Sequence, residues 1–286
     1  MRQPVLLVLC LGSAVALAGC GGTTDAEAAR ALQSVDVIDA SNLSDIMLTV
    51  ADPGEAAAYF TKAATENPDR IDLQRGLAKS LVRDKRPAES VVVWTRIVNS
   101  PEGTNDDRVA FADALIRANE WDRAEVELDK IPPTFETYER YRIEALIADS
   151  NQEWKKADSF YETAIDLTTT PGSVLNNWGY SKLSRGDYAS AEKLFTEAIT
   201  YDSAGFTAKN NLVLARSAQR KYDMPVVPMT QTERAQLLYT AALSAIKQGD
   251  VTIGKGLLQE AVDTSPVFFE AAQRSLDAMD GNVTSG

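Results

Sequence analysis

A short phrase recurs along this chain at intervals of 33 and 34 residues, and it constrains what the chain can fold into. It begins at Asn119 as Asn-Glu-Trp-Asp-Arg-Ala, returns at Gln152 as Gln-Glu-Trp-Lys-Lys-Ala, and returns at Gly186 as Gly-Asp-Tyr-Ala-Ser-Ala. The apolar residues that follow Gly186 have the spacing of one face of an α-helix. A single helix pair cannot bury such a face by itself, so the copies must stack on one another.

The period and its internal pattern resemble the tetratricopeptide repeat, whose unit is two antiparallel helices. Small residues at Gly179 and Ala191 would let two helix backbones approach closely, and Phe195 would fill the space between units. We therefore predict an all-α fold, a superhelical solenoid of tetratricopeptide repeats (TPR). The predicted array covers 37–222, with units at 37–70, 71–104, 105–137, 138–171 and 172–205 and a sixth that begins at 206.

The sixth unit is predicted to lose its second helix. Two prolines and the lack of a helical period over 223–231 predict an extended connector. Thr230 and Glu233 then have the spacing of a capping box, which would start the next helix. A last helix pair at 235–268 and a closing helix at 267–279 make up the predicted segment 232–280, and 281–286 is predicted to be a flexible tail.

The amino terminus has a short apolar segment that ends at a cysteine. An apolar run follows Arg2, and Leu17-Ala18-Gly19 stands directly before Cys20, an arrangement that resembles the signal of a bacterial lipoprotein. This arrangement is typical of a secretory leader, and the run is too short to span a bilayer comfortably. We expect 1–19 to be removed, Cys20 to carry covalent lipid, and 20–36 to be a lipidated tether. The alternative is an ordinary secretory signal that happens to end in cysteine.

The residues after the cysteine resemble a Gram-negative sorting signal. Gly21 and Gly22 follow Cys20, and no aspartate stands at position 21. The resemblance implies anchorage to the outer membrane, facing the periplasm.

Composition excludes several classes of function. The chain has no histidine, and its two cysteines are Cys10 and Cys20, so Ser-His-Asp, Cys-His and zinc sites are excluded. Its 41 acidic residues outnumber 29 basic ones, and the net charge of −12 offers no bulk attraction for nucleic acid. We predict no enzyme activity, no metal, no small-molecule substrate and no cofactor besides the lipid on Cys20. A hydrolase built on two carboxylates is the less favoured alternative.

The first helix of each predicted pair should line the concave face of the stack, which is the working surface of such a solenoid. Arg75, Lys79 and Arg83 recur every fourth residue, and could hold an acidic segment or pair with neighbouring acids. Two asparagine pairs lie 34 residues apart, and their amides could bind a peptide backbone or brace helix ends. The predicted peptide-groove residues are Arg75, Lys79, Arg83, Arg142, Asn176, Asn177, Tyr180, Asn210, Asn211 and Leu214.

Longer phrases are similar to a more specific family. Leu175-Asn-Asn-Trp-Gly-Tyr180, Lys209-Asn-Asn-Leu212 and the segment 239–262 look like TadD-type lipoproteins of the tight-adherence (Flp) pilus assembly system. The resemblance implies a pilotin-like scaffold that helps the pilus secretin assemble in the outer membrane. Its partner would be the secretin or another pilus-assembly protein. A general cell-envelope adaptor for outer-membrane-protein or peptidoglycan machinery is the alternative.

Overall fold

The computed structural model describes residues 43–283, which fold into helices joined by short connections. The predicted leader 1–19, the lipidation site Cys20 and the tether 20–36 lie outside the described residues, as do 37–42 and 284–286. A short helix, α1, covers 43–49. The other helices are α2 (Pro53–Glu66), α3 (Ile71–Arg83), α4 (Pro87–Val98), α5 (Asn105–Arg117), α6 (Trp121–Leu128), α7 (Tyr138–Ser150), α8 (Trp154–Asp166), α9 (Gly172–Ser184), α10 (Tyr188–Tyr201), α11 (Phe206–Ala218), α12 (Gln231–Lys247), α13 (Val251–Thr264) and α14 (Glu270–Val283).

The helices pack in consecutive pairs that form a curved stack. We call α3, α5, α7, α9, α11 and α12 the inner helices, and α2, α4, α6, α8, α10 and α13 the outer helices. Each inner helix contacts the next inner helix, whereas successive outer helices make no comparable contacts within the described chain. Because the inner helices approach one another more closely, the stack curves toward them, and they line its concave face.

Every inner helix ends in the same turn. The residue two positions after each helix has a positive φ, and these residues are Lys85, Asn119, Gln152, Gly186, Arg220 and Gly249. At the end of α3, the Arg86 N–H donates to the Leu81 carbonyl at 2.8 Å and the Lys85 N–H donates to the Val82 carbonyl at 3.1 Å. This is the Schellman motif, which satisfies the last carbonyls of a helix. The recurring phrase of the sequence therefore begins at the left-handed residue of this turn.

Small residues on one helix accommodate rings from its partner. A Cβ atom at Gly179 would lie 2.7 Å from the ring of Phe195, and one at Gly76 would lie 2.3 Å from the ring of Phe60. Both distances are far below van der Waals contact, so only glycine fits at either position. In the unit at 71–104, Ser90 stands where the recurring phrase ends in alanine elsewhere. It is fully buried and donates its hydroxyl to the Ala78 carbonyl at 2.8 Å.

The interruption in the sixth unit is filled by an irregular segment. After α11 the chain has no helix until α12 begins at Gln231. Met224 and Met229 pack against the apolar core between α11 and the last helix pair, where the flexible methionine side chain suits an irregular space. The predicted capping box is confirmed: the Glu233 N–H donates to Thr230 Oγ1 at 3.1 Å, and the Thr230 N–H donates to Glu233 Oε2 at 2.7 Å.

The carboxyl-terminal helix lies further along the chain than predicted, because it begins at Glu270 and not at 267 and ends at Val283 and not at 279. The sequence places the start of a flexible tail at residue 281, but α14 continues to Val283. Buried Ala272 and Leu276 fix the earlier turns of this helix, and an exposed Gly281 costs only about 1 kcal/mol relative to alanine. No proline lies between Glu270 and Val283, so none interrupts the helix sooner.

Candidate polypeptide-binding face

Equivalent positions on the inner helices form rows that run along the concave face. The row that lies six residues before each positive-φ residue is called the central row here, and it consists of Lys79, Asp113, Leu146, Tyr180, Leu214 and Leu243. Its first two members are charged and its last four are apolar. The concave face therefore has a charged half on α3 and α5 and an apolar half on α9, α11 and α12, with α7 between them.

The charged half contains a cavity that opens on the concave face. Its volume is about 600 Å³, and α3, α5 and α7 supply most of its wall. The residues that line it are Leu48, Lys79, Val82, Arg83, Trp94, Asp106, Asp107, Val109, Ala110, Asp113, Glu139 and Arg142.

The fold itself uses most of the charges in this half. Arg75 donates from Nε and Nη2 to the two carboxylate oxygens of Asp107, both at 2.8 Å, and also to the Glu102 carbonyl at 2.9 Å. Burial alone would raise the pKa of Asp107, but Arg75 and the Thr104 donors outweigh it and hold the pKa below its usual value. Arg75, predicted as a groove residue, thus joins α3 to the start of α5.

A second ion-pair group lies one helix further along. Asp113 accepts from Arg142 Nη2 at 2.8 Å and from Arg117 Nε at 2.6 Å. Burial raises the pKa of Asp113, but the positive charges of Arg142 and Arg117 more than offset this and leave the pKa lowered. Arg142, also a predicted groove residue, therefore joins α7 to α5.

The predicted basic row is largely occupied by contacts within the chain. Arg83 donates to the carbonyls of Met47, Leu48 and Ala51, at distances from 2.7 to 3.0 Å, and so holds the end of α1. Lys79 is exposed and has no hydrogen-bond or ion-pair partner within the described residues. Of the two possibilities that the sequence left open for this row, internal pairing describes Arg75, whereas Arg83 pairs with carbonyls rather than acids.

The asparagine amides are also partly occupied. Asn211 Nδ2 donates to Asn176 Oδ1 at 3.1 Å, and Asn210 Oδ1 accepts from the Thr240 hydroxyl at 2.9 Å. The Asn211–Asn176 bond joins positions 35 residues apart, one more than the 34-residue interval between the two asparagine pairs, and Asn211 is buried. Asn177 is half-buried and makes no side-chain hydrogen bond within 43–283.

The apolar half exposes side chains that a folded chain usually covers. Tyr180 is 59% exposed and Leu243 is 43% exposed, and Leu214 between them is half-buried. A smaller cavity of about 340 Å³ adjoins Leu214. The residues that line it are Leu183, Tyr188, Leu214, Ala218, Ser244, Lys247 and Gln248.

Sequence reasoning missed the contribution of α12 to this face. The sequence contains a signal for this contribution, because Leu243 precedes Gly249 by the same six residues that separate Tyr180 from Gly186. The irregular connector obscured this register. The concave face therefore continues past the interrupted unit.

The half-buried carboxylate of Asp149 has a structural role behind this face. Asp149 accepts from the Tyr161 hydroxyl at 2.8 Å and from the Ser181 hydroxyl at 2.7 Å. Burial raises its pKa, although these two donors oppose the effect. Its lone pairs thus join α7, α8 and α9. The described residues contain no cluster of three or more metal-ligating side chains, and none of their helices is long and apolar enough to cross a membrane.

Comparison with known proteins establishes the fold. No protein-family model matches the sequence, and neither does any curated protein. The chain is similar to the crystal structure of the APC/C hetero-tetramer Cut9-Hcn1, with a TM-score of 0.58 and 13% sequence identity. The match covers 79% of this chain and 46% of that one, so this chain spans less than half of the length of that chain. It is also similar to a tetratricopeptide repeat protein from Parabacteroides merdae, with a TM-score of 0.52 and 13% identity over 86% of this chain and 95% of that one. The predicted fold class is confirmed: the chain is an all-α TPR solenoid.

Proposed function

We propose that this chain is a lipid-anchored scaffold of the cell envelope that binds a partner polypeptide on its concave face. The observation that supports the proposal is the central row. Its members Tyr180 on α9 and Leu243 on α12 remain exposed on one concave surface. Leaving such side chains in water forgoes roughly 25 cal/mol per Å² of apolar area. Covering them with a partner would recover that free energy, and the proposal needs no catalytic group.

The anchor gives the scaffold its place of action. The Leu17-Ala18-Gly19-Cys20 signal supports lipid attachment at Cys20, and Gly21 supports sorting to the outer membrane. Two or more acyl chains hold a protein lastingly at a membrane surface. A partner that inserts into the same membrane would then meet the concave face at a high effective concentration.

The finer form of the proposal is a pilotin-like role. The phrases at 175–180, 209–212 and 239–262, which are similar to TadD-type lipoproteins, support it. In this role the scaffold would hold a segment of the Flp pilus secretin while the secretin assembles in the outer membrane. The anchor and the concave face are both needed, because the anchor determines where the scaffold acts and the concave face determines which polypeptide it binds.

A cysteine exchange in living cells tests this proposal. The Cys20→Ala variant should lose its lipid, leave the outer-membrane fraction, and lower the amount of assembled secretin and of pili. Cys10→Ala is the matched control, because Cys10 lies in the leader and should have no effect. Normal secretin assembly with a Cys20→Ala chain that is no longer lipidated would exclude the pilotin role.

A further inference from the structure

The apolar half of the concave face differs from the rest of the molecule in its charge. The whole chain carries a net charge of −12. Neither α9 nor α11 contains an acidic residue, and the single acid of α12, Glu233, is paired with Lys209 at 2.9 Å. No unpaired carboxylate therefore belongs to the three helices that form this half.

Positive charge in the same half is neutralised with one exception. Lys182 pairs with Asp158, and Arg216 pairs with Glu192. On α12, Arg234 pairs with Glu260. Lys247 is exposed and has no hydrogen-bond or ion-pair partner among the described residues, and it lies at the wall of the 340 Å³ cavity beside Leu214. The apolar half thus presents a hydrophobic surface with one unpaired positive charge, that of Lys247.

We propose that this half binds an apolar segment of the partner polypeptide that carries an acidic side chain. The segment's apolar side chains cover Tyr180, Leu214 and Leu243, and one of them enters the cavity. Its carboxylate pairs with Lys247. The open amide of Asn177 is available to the backbone of the segment. This inference rests on the proposed polypeptide-binding function and specifies the chemistry of its ligand.

Charge complementarity explains why an acidic segment is selected. A carboxylate at Lys247 meets no unpaired acid from α9, α11 or α12, so its approach to this otherwise acidic protein is favourable there. A basic segment would place its charge against Lys247, and like charges at an interface are strongly disfavoured. In the charged half the arginines already pair with Asp107 and Asp113. The unpaired Lys79 shares its cavity wall with the exposed carboxylates of Asp106 and Glu139, so no comparable preference arises there.

A peptide selection tests the inference. A library of randomised heptapeptides is selected on the purified chain, and the most enriched peptide is labelled and titrated by fluorescence anisotropy. The expected peptide combines apolar residues with aspartate or glutamate. Replacing Lys247 with Glu should weaken its binding by about tenfold or more, and Tyr180→Ala should weaken it as well. Lys79→Glu is the matched control, because Lys79 is also an exposed, unpaired lysine of the concave face, but in the charged half.

Three results of the peptide experiment would overturn the inference. They are enrichment of basic peptides, no enrichment at all, and binding that Lys247→Glu and Tyr180→Ala leave unchanged. Self-association of the chain that Tyr180→Ala abolishes would identify a second copy as the occupant and would also contradict it. None of these results bears on whether Cys20 is needed for secretin assembly, so a failure here is distinguishable from a failure of the pilotin proposal.

Discussion

Asn211 on α11 donates its side-chain N–H to the side-chain oxygen of Asn176 on α9 at 3.1 Å. The bond joins two successive inner helices next to the central row, and Asn211 is only 8% exposed. Asn210 adds a second link of this kind, because its Oδ1 accepts from the Thr240 hydroxyl on α12 at 2.9 Å, so three of the four paired asparagines join inner helices. The neighbouring Asn177 is left for another purpose.

The first prediction concerns this division of roles between the asparagines. Asn211→Ala leaves the Asn176 oxygen without its donor and should lower the free energy of unfolding by about 1–2 kcal/mol. Asn177→Ala removes no hydrogen bond within the described chain and should lower it by less than about 0.5 kcal/mol. Urea unfolding followed by circular dichroism measures both. Equal losses in the two variants would show that the observed bond does not stabilise the stack.

The second prediction concerns the turns after the inner helices. Gln152 has a φ of 61° and Gly186 has a φ of 83°, and no atom would lie within 4 Å of a Cβ at Gly186. Left-handed backbone is unfavourable for residues other than glycine. Gln152→Gly should therefore raise the free energy of unfolding by roughly 0.5–1 kcal/mol, and Gly186→Ala should lower it by about 1 kcal/mol. The midpoint of urea unfolding should shift in the same directions. A fall in stability for Gln152→Gly would argue against this strain.

The third prediction concerns the buried ion pair that bridges the interrupted unit. Lys209 is 2% exposed, and its partner Glu233 also caps α12. Glu233→Gln keeps a capping side chain but leaves a buried ammonium without its counter-charge, which should cost about 3 kcal/mol. Adding Lys209→Met should restore most of this loss. Glu260→Gln, which breaks the exposed pair with Arg234, should cost less than about 1 kcal/mol.

Thermal unfolding of these variants decides the point. If the double variant is no more stable than Glu233→Gln alone, the loss comes from the capping box and not from the uncompensated charge of Lys209.

The fourth prediction concerns acid unfolding. The charges of Arg142 and Arg117 hold the pKa of Asp113 below its usual value in the folded chain. The stability that this carboxylate supplies is therefore present above the unfolded pKa of about 3.9 and is lost as the pH falls through the lower folded pKa. Asp113→Asn should flatten the decrease in stability below about pH 4. Asp106→Asn, at an exposed residue that has no hydrogen-bond or ion-pair partner within 43–283, should retain the wild-type slope. A wild-type slope in Asp113→Asn would contradict the assignment.

Most of the fold could be predicted from the repeat period. The phrases at Asn119, Gln152 and Gly186 mark helix ends because the Schellman turn needs one left-handed residue in every unit. The capping box of Thr230 and Glu233 could also be predicted from the sequence, because its two residues are only three positions apart. Local chemistry of this kind is visible in sequence.

The chemistry of the concave face was less visible. Whether Arg75 is free depends on Asp107, 32 residues away, and whether Asn176 is free depends on a bond offset by one position from the repeat. Such pairings are set by the rotation of one helix against the next, which a single sequence does not specify. The contribution of Leu243 was missed because the connector breaks the register that α12 nevertheless resumes.

Site-specific photocrosslinking in membranes tests most directly the claim that the concave face binds the partner. A photoreactive residue at Asn177 lies on an inner helix, and one at Lys193 lies exposed on the outer helix α10. The account predicts a defined polypeptide adduct from position 177, absent from position 193 and lost when Tyr180 is also replaced by Ala. Adducts from position 193 with none from position 177 would place the partner on the opposite surface and contradict the account.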